Sequence, residues 1–486
     1  MKVPARCFII LIFFAVAQAQ LPPPESPAVK QAAELEEQGR FIEATALLGQ
    51  ALANQIRSPY PEIRKQLEFE LDRLDRIRRD YSHTKNSLYE SLIRSVKDLT
   101  VEEYEAWIAE GRFDMRMIDS VTSFMGSSRS NLFFRYPELR ARRLNAPDDS
   151  EFEQSTLAAV KSIKQAALER NAPFVLPRNF RNTMTVTVKP NTVPAGETIR
   201  AWLPVPKAYP HQLNISIISS SSPVKNLDDM NSPIRSAYME QKAERGKPTL
   251  FSVEYEYTAF GIWFNLQPLA IQPYDTADAT YREFTREGPH VVFTEKIRSL
   301  STQLAGLEPN PLTKAKAFYN WVSETIQYSY ALEYSTIRNI SDYCLKKNYG
   351  DCGQAALLFI TLCRANGIPA RWQSGWLTIP GGKTIHDWTE IYINPYGWVP
   401  VDPYMGVFAM QYFNGPIEQR QEIRDFYFGG LDQYRVAANS DHNQQLNPPK
   451  QSMRSDNVDF QRGEVEYGVT NIYFDKYSFG LKVEEK

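Results

Sequence analysis

Three side-chain types spread over fifty residues of the chain can do chemistry together: the thiol of Cys352, the imidazole of His386 and the carboxylate of Asp402. A thiol attacks, an imidazole takes and returns the proton, and a carboxylate fixes the ring's tautomer, which is the set needed to open an amide through a thioester. Cys352 lies in Tyr349-Gly350-Asp351-Cys352-Gly353-Gln354. Asp351 is a good N-cap and Gln354 can complete a capping box, so a helix is expected to start at Cys352. There the unpaired N–H groups and the positive end of the dipole favour a thiolate, which is how a thiol becomes a nucleophile near neutral pH. The Asp351 carboxylate opposes that, so a base is required. The bland alternative is a small buried hydrophobe, and a capped helix start between glycines weighs against it.

From Ala355 to Ala365 the predicted helix is apolar on nearly every face, as in a buried core, and would hold Cys352 rigidly. Asn366-Gly367 supplies a left-handed stop and Pro369 prevents continuation. Ile385 to Ile393 and Gly397 to Asp402 read as two strands of a hairpin across Asn394-Pro395-Tyr396-Gly397. A hairpin centred on Asn394 places Asp402 opposite His386. One centred between Pro395 and Tyr396 places it opposite Thr389 and needs a bulge. Both registers are open to the sequence.

These stretches, with Gly367-Ile368-Pro369-Ala370-Arg371, His386-Asp387-Trp388-Thr389-Glu390 and Gly397-Trp398-Val399-Pro400-Val401-Asp402, resemble the core of the transglutaminase-like superfamily with its papain-like Cys, His and Asp. The resemblance runs from about Pro311 to Asp402. It implies an α+β, multidomain chain with a papain/transglutaminase-like catalytic core, and catalytic roles for Cys352, His386 and Asp402. It also implies an oxyanion donor from an upstream side chain, for which Trp321 and Tyr328 are candidates; the backbone N–H of Cys352 is the donor that helix geometry supplies.

The formal net charge of -2 excludes a nucleic acid or an anionic membrane surface as main partner. Lys2 and Arg6, the apolar run Cys7 to Val16 and Ala17-Gln18-Ala19 read as a signal peptide over residues 1–19, too short to span a bilayer, and thus as a secreted or periplasmic protein with no integral membrane segment once it is removed. Cys344, Cys352 and Cys363 remain, an odd count that leaves at least one free thiol. Cys344 could pair with Cys363, although Cys363 fits helix core. Their spacing suits no metal site, and neither cofactor nor metal is expected.

In order, residues 27–170 read as a helical domain whose first part, Ala32 to Ala53, resembles one tetratricopeptide hairpin, and it offers a docking place for a protein partner. Period-two runs at Met184–Val188, Thr198–Pro206, Leu213–Ile218 and Leu250–Tyr257 indicate a β-sandwich over 182–273. A catalytic domain follows over 274–430, then a tail over 431–486 with one or two strands returning to the body. Arg200 and Trp202 fit strand packing better than a substrate cleft. Of Trp372, Trp376, Trp388 and Trp398, two or three are expected to pack strands and one to flank a substrate channel; Arg371 is expected to pair with Glu390.

The leading expectation is an exported thiol enzyme acting on a peptide or protein substrate, through peptide or isopeptide amides, by hydrolysis rather than cross-linking. Protein-glutamine acyl transfer is the first alternative. A protein- or carbohydrate-binding scaffold on a degenerate core is the second, and an intact Cys, His and Asp set counts against it.

Overall fold

A computed structural model describes residues 26–55 and 61–486. The expected signal peptide lies outside the described residues. The chain divides into two compact units, one formed by residues up to Asp75 with Met117–Ser120, the other by Arg76–Arg116 and Val121–Lys486.

The first unit contains α1 (Pro27–Glu37), α2 (Phe41–Asn54) and most of α3 (Pro61–Asp80). Gly39 turns α1 into α2 at φ +75°, and a Cβ there would lie 2.9 Å from the Met117 carbonyl, so both conformation and space demand glycine. Asp119 accepts the Ile42 N–H at 2.8 Å and so caps α2 from a distant part of the chain. The buried Arg73 pairs with Glu36 and Glu70.

The second unit begins with α4 (Lys85–Ile93), α5 (Val101–Ala109), α6 (Ser128–Arg135) and α7 (Ser150–Arg170), beside the short strands β1 (His83–Thr84) and β3 (Val121–Phe124); of β2 (Met115–Ile118) the last two residues belong to the first unit. Then come the long strands β4 (Phe174–Val188) and β9 (Thr249–Trp263), with β5 (Thr198–Pro204), β6 (Gln212–Ser220), β7 (Val224–Leu227) and β8 (Ser236–Lys242) between them. In β4 the apolar residues Met184, Val186 and Val188 are buried and the threonines between them are not, the alternation that a two-sided strand imposes.

Further on, α8 (Ala279–Phe284), α9 (Glu295–Ala305), α10 (Pro311–Thr325) and α11 (Ile340–Lys347) lead to a two-residue parallel bridge between β10 (Gln327–Tyr328) and β11 (Tyr349–Gly350). From β11 the chain enters α12 (Cys352–Ala365). Strands β12 (Ala370–Leu377), β13 (Thr384–Ile393) and β14 (Gly397–Val401) follow, then α13 (Pro403–Gln411) and α14 (Ile417–Phe426). The remaining strands are β15 (Gly430–Leu431), β16 (Arg435–Asn439), β17 (Glu464–Tyr467), β18 (Thr470–Ile472) and β19 (Tyr477–Glu485).

Among the described residues three sheets have four or five strands. One has the order β15-β9-β4-β19 with β6 also on β9, the second β18-β17-β5-β8-β7, and the third, which contains His386, β14-β13-β12-β16. The last residues of the chain are therefore integral: β16 completes the third sheet, while β17 and β19 pair with β5 and β4. Pro400 is tolerated in β14 because that strand is an edge.

Helix α12 is clasped between the third sheet and α9 to α11, in one core with Phe318, Val322, Ile391 and Val399. Leu357, Leu358, Phe359, Ile360 and Leu362 are each fully buried, and burial of each such side chain stabilises by about 1.5–3 kcal/mol. That total far exceeds the ~1 kcal/mol a helix cap contributes. Packing, more than capping, fixes where Cys352 stands.

Candidate active site

Helix α12 starts where the sequence places it. Asp351 is the N-cap, accepting the Gln354 N–H at 3.0 Å, and Cys352 opens the first turn. The return bond of a capping box is not made: Gln354 packs its side chain against Gly350 and its Nε2 has no partner. Gly367 ends the segment at φ +69°. Gly353 cannot be larger, because a Cβ would lie 2.2 Å from the Tyr334 hydroxyl and 2.7 Å from Asp387 Oδ2.

The Cys352 thiol donates to Asp387 Oδ2 at 3.3 Å and opens onto a cavity of about 460 Å³. The expected thiolate is not the resting state. Burial, then the Asp387 and Asp351 carboxylates, push the thiol well above its ordinary range and outweigh the helix terminus. Asp387 is itself raised well above the usual carboxylate range by burial and by Asp459 and Asp351.

His386 and Asp402 are brought together. Nε2 of His386 lies 2.8 Å from Oδ2 of Asp402, with both residues buried. The hairpin register that achieves this is neither of those expected. Ile393 pairs with Gly397 and Thr389 with Val401, so the hairpin turns about Pro395. Asp402 lies one residue past the end of β14, where it is the N-cap of α13 and accepts the Met405 N–H at 3.0 Å. Leaving the strand frees its side chain to reach His386 without a bulge. Arg435 Nη1 also donates to Oδ2, at 2.8 Å, while Nη2 of the same side chain pairs with Asp432. Burial alone would raise the Asp402 carboxyl, but His386, Arg435 and the Met405 N–H hold it below the usual range.

A carboxylate only accepts, so Nε2 of His386 carries a proton, and in the neutral ring the lone pair is on Nδ1. Nδ1 has no hydrogen-bond partner among the described residues, and the ring is flanked by Trp388 at 6.0 Å and the edge of Tyr404 at 5.4 Å. Tyr404 is also within electrostatic reach of the Cys352 thiol. Thiol and imidazole do not hydrogen-bond: alternation along β13 turns His386 toward Asp402 and Asp387 toward α12, and the thiol takes Asp387.

Several participants were not singled out from the sequence. Gln461 Nε2 donates to the His386 carbonyl at 2.8 Å and to Asp387 Oδ1 at 2.7 Å, clamping the two residues from the C-terminal segment. Asp459 bonds the Ser374 hydroxyl beside them. Asp387, directly after His386, stands in a motif already noted, and Tyr404 lies two residues beyond another; Gln461 and Arg435 carry no local signal.

Of the oxyanion candidates, Tyr328 lines the cavity and Trp321 packs against the core. None of Trp372, Trp376, Trp388 and Trp398 lines it, so the expected channel-flanking tryptophan is not found; tyrosines and Phe474 supply the aromatic wall. Trp202 donates to the Pro448 carbonyl and Arg200 pairs with Glu466, both in strand packing. Arg371 pairs with Glu390 at 2.6 Å as expected. Cys344, Cys352 and Cys363 are all free thiols. Among the described residues no group of three or more His, Cys, Asp and Glu is arranged to hold a metal ion, and no helix is long and apolar enough to cross a membrane.

Residues 298–403 match the family model of the transglutaminase-like superfamily. An uncharacterized Bacillus subtilis protein, YebA, is 28% identical over 131 residues, which is 23% of this chain and 18% of that protein. A Haemophilus influenzae uncharacterized protein is 24% identical over 151 residues, 25% of this chain and 39% of that one. The chain thus spans less than half the length of either curated relative. Among solved structures, the periplasmic domain of TgpA from Pseudomonas aeruginosa shares 16% identity at a TM-score of 0.25, covering 51% of this chain and 92% of that one. A Cytophaga hutchinsonii protein described as a candidate cysteine protease shares 19% identity at a TM-score of 0.38, covering 64% and 99%. From α9 to the start of α13, a span that includes Cys352, His386 and Asp402, the chain carries a transglutaminase-like core.

Proposed function

We propose that the protein is an exported thiol hydrolase of peptide or isopeptide amides, with Cys352 as nucleophile, His386 as base and Asp402 as the group that orients it. The observation that carries this reading is the buried His386–Asp402 pair, one residue along β13 from Asp387, the acceptor of a thiol on a helix start. Substrate entering the cavity displaces the thiol from Asp387, and Nδ1 takes its proton as sulfur bonds to the carbonyl carbon. The oxyanion is met by the Cys352 backbone N–H on the first turn. The imidazolium returns the proton to the departing amine, the C–N bond breaks, and water resolves the thioester by the same steps in reverse roles. The leader-like pattern of Lys2, Arg6 and Ala17-Gln18-Ala19 supports export.

The test is to trap the acyl-enzyme. Incubation with a peptide library, followed by intact-mass analysis and mapping, is expected to find an acyl adduct on Cys352 that is absent in His386→Ala. A product joined to an added amine, in place of a free acid, would replace hydrolysis by acyl transfer. No adduct on Cys352 from any peptide, with an alkylation rate unchanged by His386→Ala, would sink the enzyme reading.

A further inference from the structure

The cavity onto which Cys352 opens is walled mainly by carboxyl groups. Asp80, Glu333, Asp351, Asp387, Asp456 and Asp459 line it, and Arg462 is the one guanidinium on its wall. These carboxylates are not arranged around a metal ion. Burial raises Asp80, Asp351 and Asp459 to about 6 and Glu333 to about 8, so their anionic forms are poorly solvated in this wall and an entering cation would favour them.

Two observations beyond the charge point to a ligand. The space is a cavity of about 460 Å³ with the thiol in its wall, large enough for a side chain and the adjoining amide. Its aromatic residues, Tyr330, Tyr334, Tyr473 and Phe474, are the kind whose ring faces hold cations. The wall's rings already meet cations of the protein itself: the Arg462 guanidinium stands 4.7 Å from the Phe474 ring, and those of Arg76 and Arg79 stand 4.9 and 5.0 Å from the Tyr473 ring.

We propose that this cavity selects peptides carrying a cationic group, ammonium or guanidinium, close to the amide that Cys352 attacks. The proposal rests on the reading of Cys352 as nucleophile. A cavity lined mainly by one sign of charge, with low-dielectric walls, concentrates the opposite charge by roughly 10- to 1,000-fold, whereas an anionic peptide meets repulsion at the reacting sulfur.

The experiment measures the reaction of Cys352 in the whole protein with methanethiosulfonates bearing aminoethyl, methyl or sulfonatoethyl groups. Cys344 and Cys363 are fully buried and Cys7 falls on a separate peptide, so peptide mapping reads Cys352. Relative to a free thiol, the cationic reagent is expected to outpace the anionic one by at least about tenfold. That ratio should shrink several-fold in Asp456→Asn, and in molar salt, where the screening length is ~3 Å. In a second arm, peptide amides with lysine, arginine or norleucine beside the scissile bond, each with free or acetylated α-amine, separate a side-chain cation from a terminal one. A free-thiol ratio, or norleucine peptides cleaved as well as lysine peptides, would overturn the proposal and leave Cys352 as nucleophile. A sulfur inert even to the uncharged reagent would overturn both.

Discussion

Gln461 reaches 75 residues back along the chain to hold the carbonyl of His386, and with the same amide it holds the carboxylate of Asp387, the acceptor of the Cys352 thiol. The backbone of the proposed base and the partner of the proposed nucleophile thus share one buried donor. Gln461→Ala leaves both acceptors without it. The expected cost is about 1–3 kcal/mol of stability, with a fall in kcat larger than any rise in KM, read by denaturant titration and steady-state kinetics. An unchanged kcat would remove Gln461 from the site.

Asp402→Asn tests the orienting carboxylate. The amide can still cap α13, but it offers the imidazole no charge and leaves Arg435 with Asp432 alone. Activity is expected to fall by roughly 10²- to 10⁴-fold, with a stability loss of up to about 3 kcal/mol from the weakened buried pair. Near-normal turnover would mean that another group orients His386.

Asp387→Asn tests why the thiol rests protonated. Burial remains, but the nearer of the two carboxylates that raise Cys352 is gone. The pH midpoint for alkylation of Cys352 is expected to move down by about one unit or more, measured with iodoacetamide across a pH series. No movement would assign the high value to burial alone.

Stability should vary with pH in two opposed windows. Asp351 and Asp459 are raised to about 6 in the folded protein by burial, so between their unfolded values near ~4 and pH 6 the folded state binds more protons than the unfolded one. Their contribution therefore declines as pH rises through that interval. Asp402 is lowered, so what it contributes is complete above ~4 and is lost as pH falls through its folded value. The thermal midpoint is expected to be higher near pH 5 than at pH 7, and the difference should narrow in Asp459→Asn. A midpoint that climbs steadily from 5 to 7 would contradict it.

Gly353→Ala tests the closeness of the helix start to its surroundings. The new methyl meets the Tyr334 hydroxyl, Asp387 Oδ2 and, at 2.9 Å, Trp372. Overpacking of this kind costs about 1–3 kcal/mol, and displacement of Asp387 should cut activity further than the stability loss explains. A variant as stable and active as the parent would show that this wall yields.

The sequence by itself determined what is local. The N-cap at Asp351, the first turn at Cys352, the stop at Gly367, the two strands and the Arg371–Glu390 pair all follow from neighbours within a few residues or across one hairpin. Tertiary structure decided the rest. The hairpin turns about Pro395, which pattern alone left open, and Asp402 reaches His386 only because α13 draws it off the strand. Gln461, Asp459 and Arg435 enter the site along a C-terminal segment that no spacing rule ties to a cysteine about a hundred residues earlier. The protonation of the thiol belongs there too. It depends on how deeply sulfur and carboxylates are buried together, and desolvation is a property of the packed molecule, not of any stretch of chain.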